Sequence, residues 1–278
     1  MKKTTLIIIL VSVSVFLYFV ILFPLTLRSL RPKIGVVKIQ GGIYSSEKYV
    51  NWIKKLKENS QVKGILLVVN SPGGGVVASD EIYNALMDFK KTGRPLVAYF
   101  GSIAASGGYY VGCAADVIVS NPNTVTGSIG VIAEFPVVKN LLKKIGVDFI
   151  VIKSRDKKDL GSPWREMTPE EKKIIKSLID ETYKNFLKIV SESRNIPMDS
   201  LYKIADGRIF SGRQALKYGL VDTLGTIDTA IEILKQKAKI KGKPMLLEPR
   251  KRFSLLSLIT EEETKISDIK LDYRMVLP

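Results

Sequence analysis

Gly64-Ile65-Leu66-Leu67-Val68-Val69-Asn70-Ser71-Pro72-Gly73-Gly74-Gly75 decides how the rest of the chain is read. An unbroken Ile/Leu/Val run, with no polar alternation, is the pattern of a strand buried on both faces. It stops at a Pro-Gly turn, and helical spacing begins near Ser79. Working outward, Ile34–Gln40, Pro95–Phe100, Asp116–Ser120 and Val147–Lys153 also read as strands, and Glu47–Asn59, Ser79–Lys91 and Pro136–Ile145 as helices. Thr168-Pro169-Glu170-Glu171 reads as a helix start, with Thr168 as N-cap and Glu171 closing a capping box, and predicts a long helix to about Ser193. Strands alternating with helices imply an α/β fold, a parallel sheet covered by helices.

Composition removes several chemistries. The 278 residues contain no His and one Cys, Cys113. That excludes Ser-His-Asp and Cys-His relays, intrachain disulfides and CxxC pairs. The proton shuttle of any enzyme here must be Lys, Asp, Glu or Tyr. No charged residue lies between Lys3 and Arg28, and the intervening run is mostly Leu, Ile, Val and Phe. At about 1.5 Å per residue it spans a bilayer, and no small-residue cleavage site follows it, so residues 1–30 read as an uncleaved transmembrane anchor. Lys2 and Lys3 face Arg28, Arg31 and Lys33 across that span, so charge leaves the orientation open. Residues 31–240 read as one α/β domain and residues 241–278 as a basic, partly apolar tail.

Two glycine-rich loops follow predicted strands. In the first, Gly73, Gly74 and Gly75 allow close backbone approach and outward N–H groups at a helix N-terminus, which suits an anion. A plain tight turn fits the same residues. Gly73-x-Gly75-x-x-Ala78 formally matches a dinucleotide fingerprint, but no acidic residue closes the next strand at Leu96–Phe100. In the second loop, Ser106 stands among small residues at a strand-to-helix junction, which fits a nucleophile and close packing equally well. With Ala104 in the first glycine position it is not a Gly-x-Ser-x-Gly elbow. Without His, a serine nucleophile needs another base, and a desolvated lysine can serve because burial lowers its pKa. Ser-x-x-Lys occurs five times in this Lys-rich chain, which singles out none of them.

Four ordered blocks carry a resemblance: Asn70-Ser71-Pro72-Gly73-Gly74, Ala104-Ala105-Ser106-Gly107-Gly108-Tyr109-Tyr110, Thr126-Gly127-Ser128-Ile129-Gly130-Val131 and Gly161-Ser162-Pro163-Trp164-Arg165-Glu166-Met167-Thr168. Over roughly Ile34 to Lys239 the chain resembles the short, single-repeat signal peptide peptidases of the S49 serine peptidase family, whose fold is similar to the Clp protease subunit and the crotonases. The resemblance implies Ser106 as nucleophile, and the N–H groups of Gly73 and Ser106 as oxyanion donors with Gly74 next. It also implies Ser128 as the partner of a lysine base, Lys158, three residues before Gly161. Arg155 replaces the family's usual glycine there, and Lys157 is the alternative base.

The resemblance further implies a homo-oligomer, typically octameric, with each site shared between protomers, and no metal or nucleotide cofactor. It implies signal peptides and other apolar peptides as substrates, and a single-pass membrane protein with its catalytic domain outside the cytoplasm. Ile132, Val131 and Ala105 are candidate liners of a small apolar subsite, or plain core. The basic excess at Lys235, Lys237, Lys239, Lys241, Lys243, Arg250, Lys251 and Arg252 reads as a solvated face or as attraction to anionic lipid. No nucleic-acid module accompanies it. The rival readings are a non-catalytic membrane scaffold of the same fold, and a related protease that cuts integral membrane proteins.

Overall fold

The computed structural model describes residues 11–22 and 31–249. The anchor expected at residues 1–30 lies largely outside the described residues. Of it, residues 11–17 are α-helical and Tyr18–Leu22 form a π-helical turn. Among the described residues no helix is long and apolar enough to cross a membrane.

Strands β1 (Lys33–Gln40), β2 (Val62–Ser71) and β3 (Leu96–Ala105) are joined through helices α1 (Glu47–Glu58) and α2 (Val76–Lys90), and the crossovers make all three strands parallel. The quoted run is the buried centre of this sheet: Ile65, Leu66, Leu67 and Val69 are buried. Alternation sends Ile65, Leu67 and Val69 into the large core with Ile53, Ile82 and Phe89, and Leu66 into a second core on the opposite face. Helix α3 (Gly107–Gly112) follows β3 directly. Then come β4 (Val117–Ser120), β5 (Val125–Gly127), α4 (Lys139–Lys144) and α5 (Pro169–Arg194). The chain continues through α6 (Met198–Tyr202), β6 (Ile209–Ser211), α7 (Gly212–Lys217), β7 (Thr223–Leu224), α8 (Ile227–Lys237) and β8 (Met245–Leu247). Ala230 and Leu234 of α8 cover the second face.

The sheet forks along β3. Residues Val97–Phe100 pair with β4, whereas Ile103–Ala105 pair with β5. The Thr124 hydroxyl sits at the fork, within 3.1 Å of the Phe100 carbonyl and 2.6 Å of the Gly101 carbonyl. Only the β5–β6 pair is antiparallel among the paired strands. The parallel sheet expected from alternation is therefore present. Strand β8 returns to pair with Lys33–Gly35 of β1, so the segment expected to begin a tail at residue 241 contributes an edge strand.

Helix α5 starts as its cap predicts: Thr168 Oγ1 accepts from the Glu171 N–H, and the Glu171 carboxylate accepts from the Thr168 N–H. The strand expected at Val147–Lys153 is not formed. Residues 147–153 are irregular, with Ile150 and Ile152 89% and 95% exposed. A strand needs a ladder partner, and no described strand pairs with this run, so its β-branched composition alone does not make it one.

Candidate active site

Ser106 occupies the junction between β3 and α3 with φ 52° and ψ −122°, a conformation that L residues rarely adopt. Such strain costs about 1–3 kcal/mol and persists only where surroundings impose it. Here the Ser106 N–H donates to the Gly127 carbonyl at 2.9 Å, and the Ser106 carbonyl accepts from the Tyr110 N–H at 2.9 Å. Buried Tyr109 anchors the helix beneath, donating its hydroxyl to the Leu220 carbonyl at 2.9 Å. The Ser106–Gly127 bond also sets the next residue, Ser128, close to the junction. Ser128 is half-buried, has φ 51°, and donates its N–H to the Arg208 carbonyl at 2.8 Å.

The first glycine loop runs against this turn. A Cβ on Gly73 would stand 2.7 Å from the Gly107 nitrogen and 2.8 Å from the Ser106 Cβ, so only glycine fits that approach. Two of the expected oxyanion donors are bonded within the chain. The Gly73 N–H donates to Ser71 Oγ at 3.1 Å and the Ser106 N–H is spent on Gly127, so neither is free. The N–H groups of Gly74 and Gly107 have no acceptor among the described residues, and Gly74, Ser106 and Gly107 line one cavity of about 330 Å³. Of the three expected donors only Gly74 keeps an unbonded N–H among the described residues, and Gly107, not singled out from sequence, has the other. Gly107 directly follows Ser106, the position from which a residue after a nucleophile offers an oxyanion N–H in other serine hydrolases.

Lys158 is not among the residues lining that cavity. It lies on an exposed turn, held by its N–H to the Arg155 carbonyl at 3.1 Å, and its ammonium has no partner among the described residues. Neighbouring Lys157 is different, because its ammonium is paired with Glu170. Within one chain, then, the structure brings together Ser106, Gly74, Gly107 and the Ser128 segment, and Lys158 is not part of the cavity they border.

Arg165 clamps the lysine turn to α5. Its guanidinium donates to both oxygens of Asp159 at 2.8 Å each, and to Glu171 at 2.8 and 2.6 Å. Lys153 adds a second cation to Asp159 at 2.7 Å. The Arg165 bonds, with Lys153, hold the Asp159 carboxyl well below the usual carboxylate range. The Arg165 bonds, followed by the Thr168 N–H, bring buried Glu171 down to about 2. Carboxylates with depressed folded pKa values stabilise the fold above their unfolded value near about 4 and lose that contribution as the pH falls toward the folded one. The clamp is therefore expected to open between about pH 4 and 2. In Arg165→Met the opening shifts to higher pH. Fluorescence of Trp164, which is stacked on Phe149 with centroids 4.0 Å apart, reports it. An unchanged acid midpoint in that variant would show the clamp to be unimportant.

Comparison with known proteins agrees with the geometry. Residues 88–241 match peptidase family S49, and residues 36–124 match the Clp protease family. A protein of Methanocaldococcus jannaschii that carries a protease name is 41% identical over 212 residues, covering 74% of this chain and 68% of that one. Protease 4 of Haemophilus influenzae is 33% identical, covering 73% of this chain and 34% of its own length. The chloroplastic serine protease SPPA of Arabidopsis thaliana is 34% identical, covering 74% and 30%. The chain thus spans about a third of the two longer relatives and over two thirds of the archaeal one. With a family match over more than half its length and an archaeal relative aligned through most of both chains, this chain belongs to the serine-type peptidases of family S49.

Proposed function

We propose that the chain is a membrane-anchored serine endopeptidase in which Ser106 is the nucleophile and Lys158 the general base. The observation that carries this is the strained Ser106, set in a cavity beside the two unspent N–H groups of Gly74 and Gly107. A neutral Lys158 takes the Ser106 hydroxyl proton, and the alkoxide attacks a peptide carbonyl. The Gly74 and Gly107 N–H groups hold the tetrahedral oxyanion, each worth about 3 kcal/mol. The lysine passes its proton to the leaving amine, and water hydrolyses the acyl-enzyme. Ser128 orients the lysine. The Lys157 ammonium is held by Glu170, whereas Lys158 has no ion-pair partner among the described residues, which supports Lys158 as the base.

In this reading the lysine reaches a neighbouring copy's serine. Support comes from the apolar side chains that one chain leaves in water along residues 131–178, including Ile132 at 81% and the unpaired run 147–153. Apolar surface of that extent marks an interface. The assembly, octameric by family resemblance, acts on signal peptides and similar apolar peptides. Its anchor at residues 1–30 keeps enzyme and substrate at one membrane, with the catalytic domain on the extracytoplasmic side.

The test is cleavage of an apolar signal-peptide-like substrate by the full chain in detergent, read by mass spectrometry. Metal-independent cleavage supports the reading. Intact substrate from an assembled preparation shifts it to the scaffold, which the separation of Lys158 from Ser106 in one chain would favour. The oxyanion assignment has its own test. A Cβ on Gly74 would stand 2.4 Å from the Ile43 carbonyl oxygen, so Gly74→Ala must move this N–H. We expect kcat to fall about 10²–10³-fold with KM little changed. Wild-type kcat in that variant would remove Gly74 from the mechanism.

A further inference from the structure

The cavity beside Ser106 carries two carboxylates and no lysine or arginine among its lining residues. Asp80 is half-buried. One of its oxygens accepts from the Tyr110 hydroxyl at 2.6 Å, and the other from the Asn84 amide at 2.8 Å. Both donors are neutral, so the charge is solvated but not cancelled. Glu181, on α5, lines the same cavity from its exposed side. Neither carboxylate has an ion-pair partner among the described residues. Val76, Val77 and Phe186 supply apolar wall to the same cavity. An apolar sleeve with anionic groups and no internal cation fits a side chain with an aliphatic stem and a positive tip. Gly74, Ser106 and Gly107 border the same cavity, so it is within reach of the side chain of the residue whose carbonyl Ser106 would attack.

We infer that Asp80, assisted by Glu181, makes this cavity selective for lysine or arginine at the residue preceding the scissile bond. The inference rests on the serine peptidase reading above and narrows its substrate class. Among apolar peptides, the preferred cut would follow a basic residue.

Two measurements separate the inference from the reading beneath it. In the first, the full chain in detergent cleaves peptides identical except for lysine, arginine or norleucine before the scissile bond. Norleucine keeps the stem of lysine and removes the charge. We expect kcat/KM for the basic peptides to exceed that for norleucine by about tenfold or more, as befits one charge-assisted hydrogen bond. In Asp80→Asn that ratio collapses toward unity, and in Glu181→Gln it falls partway. A ratio near unity in the wild type, or variants that slow all three peptides by the same factor, overturns the inference, because the carboxylates would then be structural or would serve a neighbouring lysine. In the second, Ser106→Ala in its assembled form is titrated calorimetrically with product peptides ending in lysine or norleucine. Tighter binding of the lysine peptide supports the cavity's selectivity without catalysis, and equal binding overturns it. Selectivity in the second measurement with no cleavage in the first would overturn the Ser106 reading alone.

Discussion

Ser106→Ala is expected to lower peptide cleavage by the assembled chain about 10⁵-fold or more, the loss seen when a serine nucleophile is removed from its catalytic unit. The Ser106 side chain makes no hydrogen bond among the described residues, while its backbone N–H and carbonyl hold the strained turn. Alanine keeps both backbone bonds and meets the same positive-φ strain as serine. Assembly and thermal unfolding should therefore match wild type, so that the loss reports chemistry and not folding. Measurement of single-turnover cleavage beside a melting curve decides it. Residual activity above a hundredth of wild type would remove Ser106 from the nucleophile role.

Mixing inactive subunits gives the second large effect. Lys158→Ala alone and Ser106→Ala alone are both expected to be silent, because each lacks one half of the proposed relay. If the lysine serves the serine of the adjoining copy, co-assembly at equal ratio places an intact Ser106 beside an intact Lys158 at about a quarter of the sites, by random assortment around a head-to-tail ring. About a quarter of wild-type activity should return. Were Lys158 to reach the Ser106 of its own chain, no mixture could contain a complete pair, and activity would stay at zero.

Long, strongly patterned elements were legible in the sequence. The run Gly64–Val69 announces a doubly buried strand, and Thr168 with Glu171 announces the start of α5 within a residue. The short strands were not legible. Strands β5, β6 and β7 have two or three residues each and exist by register with β3, β4 and one another, not by any pattern of their own. Val147–Lys153 failed in the opposite sense, with strand composition and no partner. At the site, Ser106 and its glycines were visible as motifs. Which N–H groups remain free depends on where the Gly127 carbonyl and Ser71 hydroxyl arrive in space, and residue types do not encode that. Asp80 carried no sequence signal, because its meaning comes from sharing a cavity with residues of α3 and α5.

Helix α5 borders two places at once. Glu181 and Phe186 face the serine cavity, while Glu171, ten residues earlier and about 15 Å along the same rod, holds the Arg165 clamp of the lysine turn. If the lysine serves the adjoining copy, as proposed, this rod belongs to two catalytic centres in different subunits. One subunit with a misaligned α5 would then silence its own site and its neighbour's, and a ring would lose activity twice as fast as it accumulates damaged members.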